Sequence, residues 1–167
     1  KEWHEQSPET AAPLIYLGNI ATAEGAYQEA AQYLDKASEL EGAKNEVFYS
    51  RAKLLVAEGK NDNAISFVRA FIDKTPADVQ ALALWFALAK EKGNAEDVIK
   101  HTQTQFNTNK TNLNLRLLLA RMYSLNSQLD KTVSLLSDVE GNEASPQAFW
   151  NLKGQALIAT NNVEDAT

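Results

Sequence analysis

Two histidines are the only imidazoles in this chain, and one of them has a partner at a useful spacing: Asp97 lies four residues before His101. On a helix that interval puts both side chains on one face, where a carboxylate orients an imidazole for proton transfer or the two share a metal. An exposed helical ion pair has the same signature, and it is the commoner origin of such a spacing. His4 belongs to the N-terminal tail and is not expected to form a site. With no cysteine, disulfides, zinc thiolates and thiol nucleophiles are all excluded. The chain contains no HExxH, glycine-rich phosphate loop, nucleophile elbow or calcium loop. Its many carboxylates recur on outer helix faces, where solvation explains them. The expectation is therefore a protein that is not an enzyme, with no cofactor and no metal site.

The elements that would hold any site are set by composition and then by period. An apolar content of 44% with 23% charged residues is that of an ordinary globular protein. A net charge of −6 opposes the counterion release on which phosphate-backbone binding depends, so nucleic acid is not an expected partner. The apolar run from Ala81 to Ala89 is far shorter than the roughly 18 residues that span a bilayer, so no direct membrane insertion by this segment is expected.

The strongest signal is self-similarity. LIYLGNIATAEGAYQEA, beginning at Leu14, matches WNLKGQALIATNNVEDA, beginning at Trp150: an apolar first residue, glycine fifth, a turn signal twelfth and alanine seventeenth. Counting from Ala11 in steps of 34, units begin at Asn45, Val79, Leu113 and Gln147 without insertion or deletion. The eighth position holds Gly18, Ala52, Phe86, Ala120 and Gly154, and the twentieth Ala30, Ala64, Val98, Thr132 and Ala166. Mostly small residues at these two places let helix backbones approach closely. Gly25, Gly59, Gly93, Ser127 and Asn161 at the fifteenth supply a turn, three of them as glycine able to adopt the left-handed conformation that ends a helix. Each unit reads as helix, short turn, antiparallel helix. Neither helix alone can bury its apolar stripe, so neighbouring units must stack into a continuous core. Phe48 and Trp150 at the fourth position are expected in that core.

This spacing resembles the tetratricopeptide repeat (TPR), with W or L fourth, G or A eighth, A twentieth and P thirty-second. The resemblance covers the whole chain and implies an all-α fold, an α-solenoid of antiparallel helix pairs forming a right-handed superhelix. Residues 1–10 then read as the tail of a truncated repeat, with Pro8 at its thirty-second position and Trp3 on a buried face. Repeats occupy 11–44, 45–78, 79–112 and 113–146, and 147–167 is a fifth, truncated one, so that the chain is an excerpt of a longer array. The second helix of 79–112 departs from the pattern with Thr102 and Gln105 where apolar residues are expected, and is expected to pack least well, with Phe106 taking over the burial. Arg51, Lys153 and Arg116 fall on stripe positions, where their alkyl stems would pack while the charges reach water.

The same resemblance implies function. First helices of such repeats line a concave groove, which carries Ile15, Asn19, Tyr49, Lys53 and Val56 from the first two units. Lys90, Leu117, Arg121, Asn151 and Gln155 follow from the later ones. The groove implies a protein-protein interaction scaffold that binds a peptide or partner protein; the alternative is a structural spacer or self-associating array. The carboxylate clamp of chaperone-binding relatives is not reproduced, since only Asn19 of its residues is present in the first three units. The phrases FWNLKGQAL and LLVAEGKNDNAI further resemble bacterial repeat lipoproteins of exopolysaccharide and PEP-CTERM protein-sorting systems, which implies a periplasmic or cell-envelope setting ahead of a cytoplasmic one.

Overall fold

The computed structural model describes residues 10–40, 42–137 and 147–160. Trp3, His4, Pro8, Asn161 and Ala166 lie outside the described residues. Nine α-helices and no strand occur among those described: α1 Ala12–Ala23, α2 Tyr27–Ser38, α3 Lys44–Ala57, α4 Asn61–Ile72, α5 Val79–Glu91, α6 Ala95–Thr108, α7 Leu113–Leu125, α8 Leu129–Ser137 and α9 Gln147–Ala159. The fold is an all-α helical repeat. The chain divides into two compact units, Lys1–Val68 and Arg69–Thr167.

One turn is used four times. The amide of Ala26 donates to Ala21 O at 2.8 Å, Lys60 to Leu55 O at 2.9 Å, Asn94 to Ala89 O at 2.8 Å and Gln128 to Tyr123 O at 2.8 Å. These bonds close the C-termini of α1, α3, α5 and α7, and each falls 34 residues after the one before. The residue inside each turn is left-handed: Gly25 at φ 78°, Gly59 at 74°, Gly93 at 76° and Ser127 at 59°. Such a turn satisfies helix-terminal carbonyls and reverses the chain within a few residues, so the next helix runs back along the first. Serine pays a steric cost in this conformation that glycine does not. Ser127→Gly is accordingly expected to stabilise the protein by about 0.5–1 kcal/mol, and Gly93→Ala to destabilise it by about 1 kcal/mol, both read from denaturant midpoints.

Helix starts repeat as well. Asp78 Oδ1 accepts from the Ala81 amide at 2.9 Å, and Asn112 Oδ1 from the Leu115 amide at 3.1 Å, capping α5 and α7 in the same way.

In Lys1–Val68, α1 packs on α2 and both meet α3. Their core joins Leu14, Ala21, Ala30, Leu34, Val47 and Leu54. Phe48 stacks on Phe67 of α4, with ring centroids 5.2 Å apart, so the fourth position of a unit faces its own second helix. In Arg69–Thr167, α5 packs on α6 and α7, α6 on α7, α7 on α8, and α9 on both α7 and α8. Phe86 with Ala89 and Ala120 with Tyr123 are all buried. Bulk is thus exchanged between the eighth and eleventh positions of successive units.

One packing expectation is corrected. Trp150 is 41% exposed, and its neighbour Phe149 is fully buried instead, in a cluster with Ala120 and Leu136. Phe149 faces α7 and α8 and takes the enclosed place on α9. α6 runs unbroken for 14 residues with Ala95, Val98, Ile99 and Thr102 buried, and Phe106 carries the burial as expected. Thr102 fits because its hydroxyl donates to Val98 O at 2.9 Å, leaving its methyl group for the core.

Candidate functional site

The first helices of Arg69–Thr167 are neighbours, α5 beside α7 and α7 beside α9. On this side of α7 lies an open cavity of about 700 Å³, lined by Leu117, Leu118 and Leu125 together with Gln80, Asn114, Asn151 and Gln155. A second cavity of about 510 Å³, reaching Ala87, Lys90 and Glu91, shares Ala83, Leu118, Arg121 and Leu125 with it. Most of these residues come from the second, fifth, ninth, twelfth and thirteenth positions of the units starting at Val79 and Leu113, joined by Ala148, Asn151 and Gln155, with Leu118 added from a sixth position. The helical period explains the set, since these positions lie on one stripe of each helix, turned away from the second helices.

The electrostatics are simple. Arg121 is the only charged residue lining the larger cavity, and among the described residues no ion pair or hydrogen bond engages its guanidinium. Asn151 accepts at Oδ1 from Gln147 Nε2 at 3.1 Å, which leaves its amide protons available to a ligand. Lys90 is committed elsewhere: its ammonium donates to Leu125 O at the C-terminal end of α7, where the helix dipole favours a cation. It clamps α5 to α7.

Lys90, Leu117, Arg121, Asn151 and Gln155 are therefore brought together, while the remaining groove residues of the sequence lie on α1 and α3 of Lys1–Val68. There Asn19 and Tyr49 are half-buried, and Lys53 and Val56 are exposed. Ile15 departs from expectation. It is only 9% exposed and belongs to the core that includes Val47 and Leu54 of α3, because an aliphatic side chain at the edge of the stripe gains more from the α1–α3 contact than from water.

His101 forms no ion pair with Asp97. Its Nε2 lies 3.2 Å from Pro76 O, and a carbonyl can only accept, so Nε2 carries the proton. Its ring meets the buried Trp85 edge-on at 5.6 Å, with the Arg69 guanidinium 5.3 Å from the same indole. The imidazole tethers the loop before α5 to α6. No group of three metal-ligating side chains occurs among the described residues, and no described helix is long and apolar enough to cross a membrane.

A different set of residues, not assembled from the sequence, surrounds a cavity of about 580 Å³ on the side of α7 that faces α6 and α8. Its lining includes Lys110, Arg116, Tyr123, Asp130 and Lys131. Tyr123 donates to Gln103 Oε1; burial and then the nearby Glu96 carboxylate push its pKa up. The one signal in the sequence was Arg116 at a fourth position held elsewhere by leucine, phenylalanine or tryptophan.

The architecture is that of a helical-repeat protein built from turn-linked helix pairs. It is shared with tetratricopeptide-repeat proteins of known structure. A TPR protein from Parabacteroides merdae superposes with a TM-score of 0.62 at 16% identity, over 98% of this chain and 65% of its own length; the chain thus spans less than two thirds of that protein. The thermophilic TPR protein TTC0263 of Thermus thermophilus superposes with a TM-score of 0.59 at 17% identity, covering 94% of this chain and 86% of its own. YrrB, a TPR protein with an unusual peptide-binding site, gives 0.53 at 16% identity over 99% and 85%. No protein-family model matches the sequence, and no curated protein does so significantly.

Proposed function

We propose that the chain is a non-catalytic protein-interaction scaffold whose unit Arg69–Thr167 holds an extended peptide segment of a partner protein against α5, α7 and α9. The observation that carries this reading is the cavity lined by leucines, side-chain amides and an unengaged arginine. Leucines bury a partner's apolar side chains, amides satisfy the donors and acceptors of an extended backbone, and one cation fixes register. The peptide-binding site of YrrB, a protein of the same fold, supports it. In Lys1–Val68 the corresponding surface comprises Asn19, Tyr49, Lys53 and Val56. The resemblance to repeat lipoproteins adds a cell-envelope setting to the proposal, which localisation of the tagged protein would test.

Selection of displayed random peptides against the chain is expected to yield binders that Arg121→Ala with Asn151→Ala, both exposed, weakens at least about tenfold, with an unchanged helical melt. Failure to select any binder, or binders indifferent to both substitutions, would overturn the reading in favour of a spacer or self-associating array.

A further inference from the structure

We propose that the opposite side of α7 carries a second, anionic-ligand site, in which Lys110, Arg116 and Lys131 hold a doubly charged phosphate group. These three cations line one cavity of about 580 Å³ with a single carboxylate, Asp130, on a chain whose net charge is −6. Asp130 is exposed and makes no ion pair with any of them. Among the described residues no carboxylate is ion-paired with these three cations, and the nearby acid Glu96 accepts from Asn126 and Gln128 instead.

Arg116 is the centre of the site. It is half-buried, lies 5.2 Å from the Phe106 ring centroid, and donates from Nη1 to Leu135 O at 3.3 Å and from Nη2 to Lys110 O at 3.1 Å. Two of its five N–H groups are thus spent on carbonyls that fix the guanidinium between α6 and α8, and the others remain. No ion pair with a carboxylate engages it among the described residues. Withdrawing a charge from water without a counterion is costly, and a leucine there would pack as Leu14 and Leu82 do. A bound anion supplies the missing compensation.

Lys131 lies 5.3 Å from the Tyr123 ring centroid and donates one proton to Gln128 Oε1 at 2.9 Å, keeping two. The Lys110 ammonium has no partner among the described residues. Both aromatic rings at the site are already covered by a cation, which removes the free face a nucleobase would stack on. The ligand is consequently a compact oxyanion with little apolar surface. Three cations line the cavity against one exposed carboxylate, Asp130, with Glu96 set back behind Gln128, to which Lys131 donates; the net positive charge suits a phosphate group.

The test is calorimetric titration of the whole chain at low ionic strength with inorganic phosphate and with a phosphoserine peptide. Both ligands are applied to the wild type, to Lys110→Gln/Lys131→Gln and to Arg121→Ala. Saturable binding at one site is expected in the wild type. It should be at least about tenfold weaker in the double lysine variant, whose two exposed substitutions leave the melt unchanged, and unaltered by Arg121→Ala. Tighter binding of the peptide than of inorganic phosphate supports the site and places the phosphate on a modified protein; equal binding supports it with free phosphate as the ligand. No saturable binding of either, binding indifferent to the lysine pair, or binding lost with Arg121 would overturn the proposal.

Discussion

Phe149→Ala is expected to lower the unfolding free energy by about 3–5 kcal/mol, whereas Trp150→Ala, although it removes the larger side chain, should cost about 1 kcal/mol or less. The order follows from burial. Phe149 is fully enclosed with Ala120 and Leu136, and the Lys153 ammonium sits 5.8 Å from its ring centroid. Removing the ring leaves a cavity that α7, α8 and α9 close only by moving. Trp150 touches Phe149 edge-on at 5.0 Å and keeps 41% of its surface in water. Denaturant titrations with unchanged slopes measure both effects. A larger loss for Trp150 would mean that the faces of α9 have been interchanged.

Gly18→Val is expected to destabilise by about 1–3 kcal/mol, against a much smaller change for Gly154→Val. Both glycines occupy the eighth position of a unit, so the local cost of a β-branched residue in a helix is common to the two. Their surroundings differ. A Cβ at Gly18 would meet Leu34 Cδ2 at 2.9 Å and Cγ at 3.0 Å, with Ala30 O at 3.4 Å behind them, while at Gly154 nothing lies within 4 Å. Leu34 is fully buried, so it cannot swing aside as a surface side chain would, and α1 and α2 must separate. Equal melting temperatures for the two variants would refute this account of the α1–α2 crossing.

The repeating turn was legible in the sequence because its chemistry is local. A left-handed residue closing a helix favours glycine wherever it recurs, and the four 34-residue-spaced bonds at Ala26, Lys60, Asn94 and Gln128 follow from that demand. Helical period also fixes which residues of α5, α7 and α9 share a face, whereas the assignment of that face to a groove came from the resemblance to the tetratricopeptide repeat.

What was not legible depends on partners rather than on period. Phe149 and Trp150 are adjacent apolar residues on one helix, and only the position of α7 and α8 decides which is enclosed. Ile15 lies at a stripe edge, where contact with α3 outweighs the nominal outward direction. His101 bonds to a backbone carbonyl 25 residues away, which no side-chain motif encodes, so Asp97 seemed its natural partner. The basic cavity joins Lys110, Arg116 and Lys131 from three segments, of which Arg116 alone broke the repeat pattern.

The central claim is that the face shared by α5, α7 and α9 receives a peptide. Its most direct measurement is amide chemical-shift mapping of the isotopically labelled chain titrated with a peptide selected from a displayed library. The account predicts perturbations concentrated at Gln80, Ala83, Asn114, Leu117, Arg121, Asn151 and Gln155. Perturbations confined to Lys110, Arg116 and Lys131, or scattered over α2, α6 and α8, would contradict it.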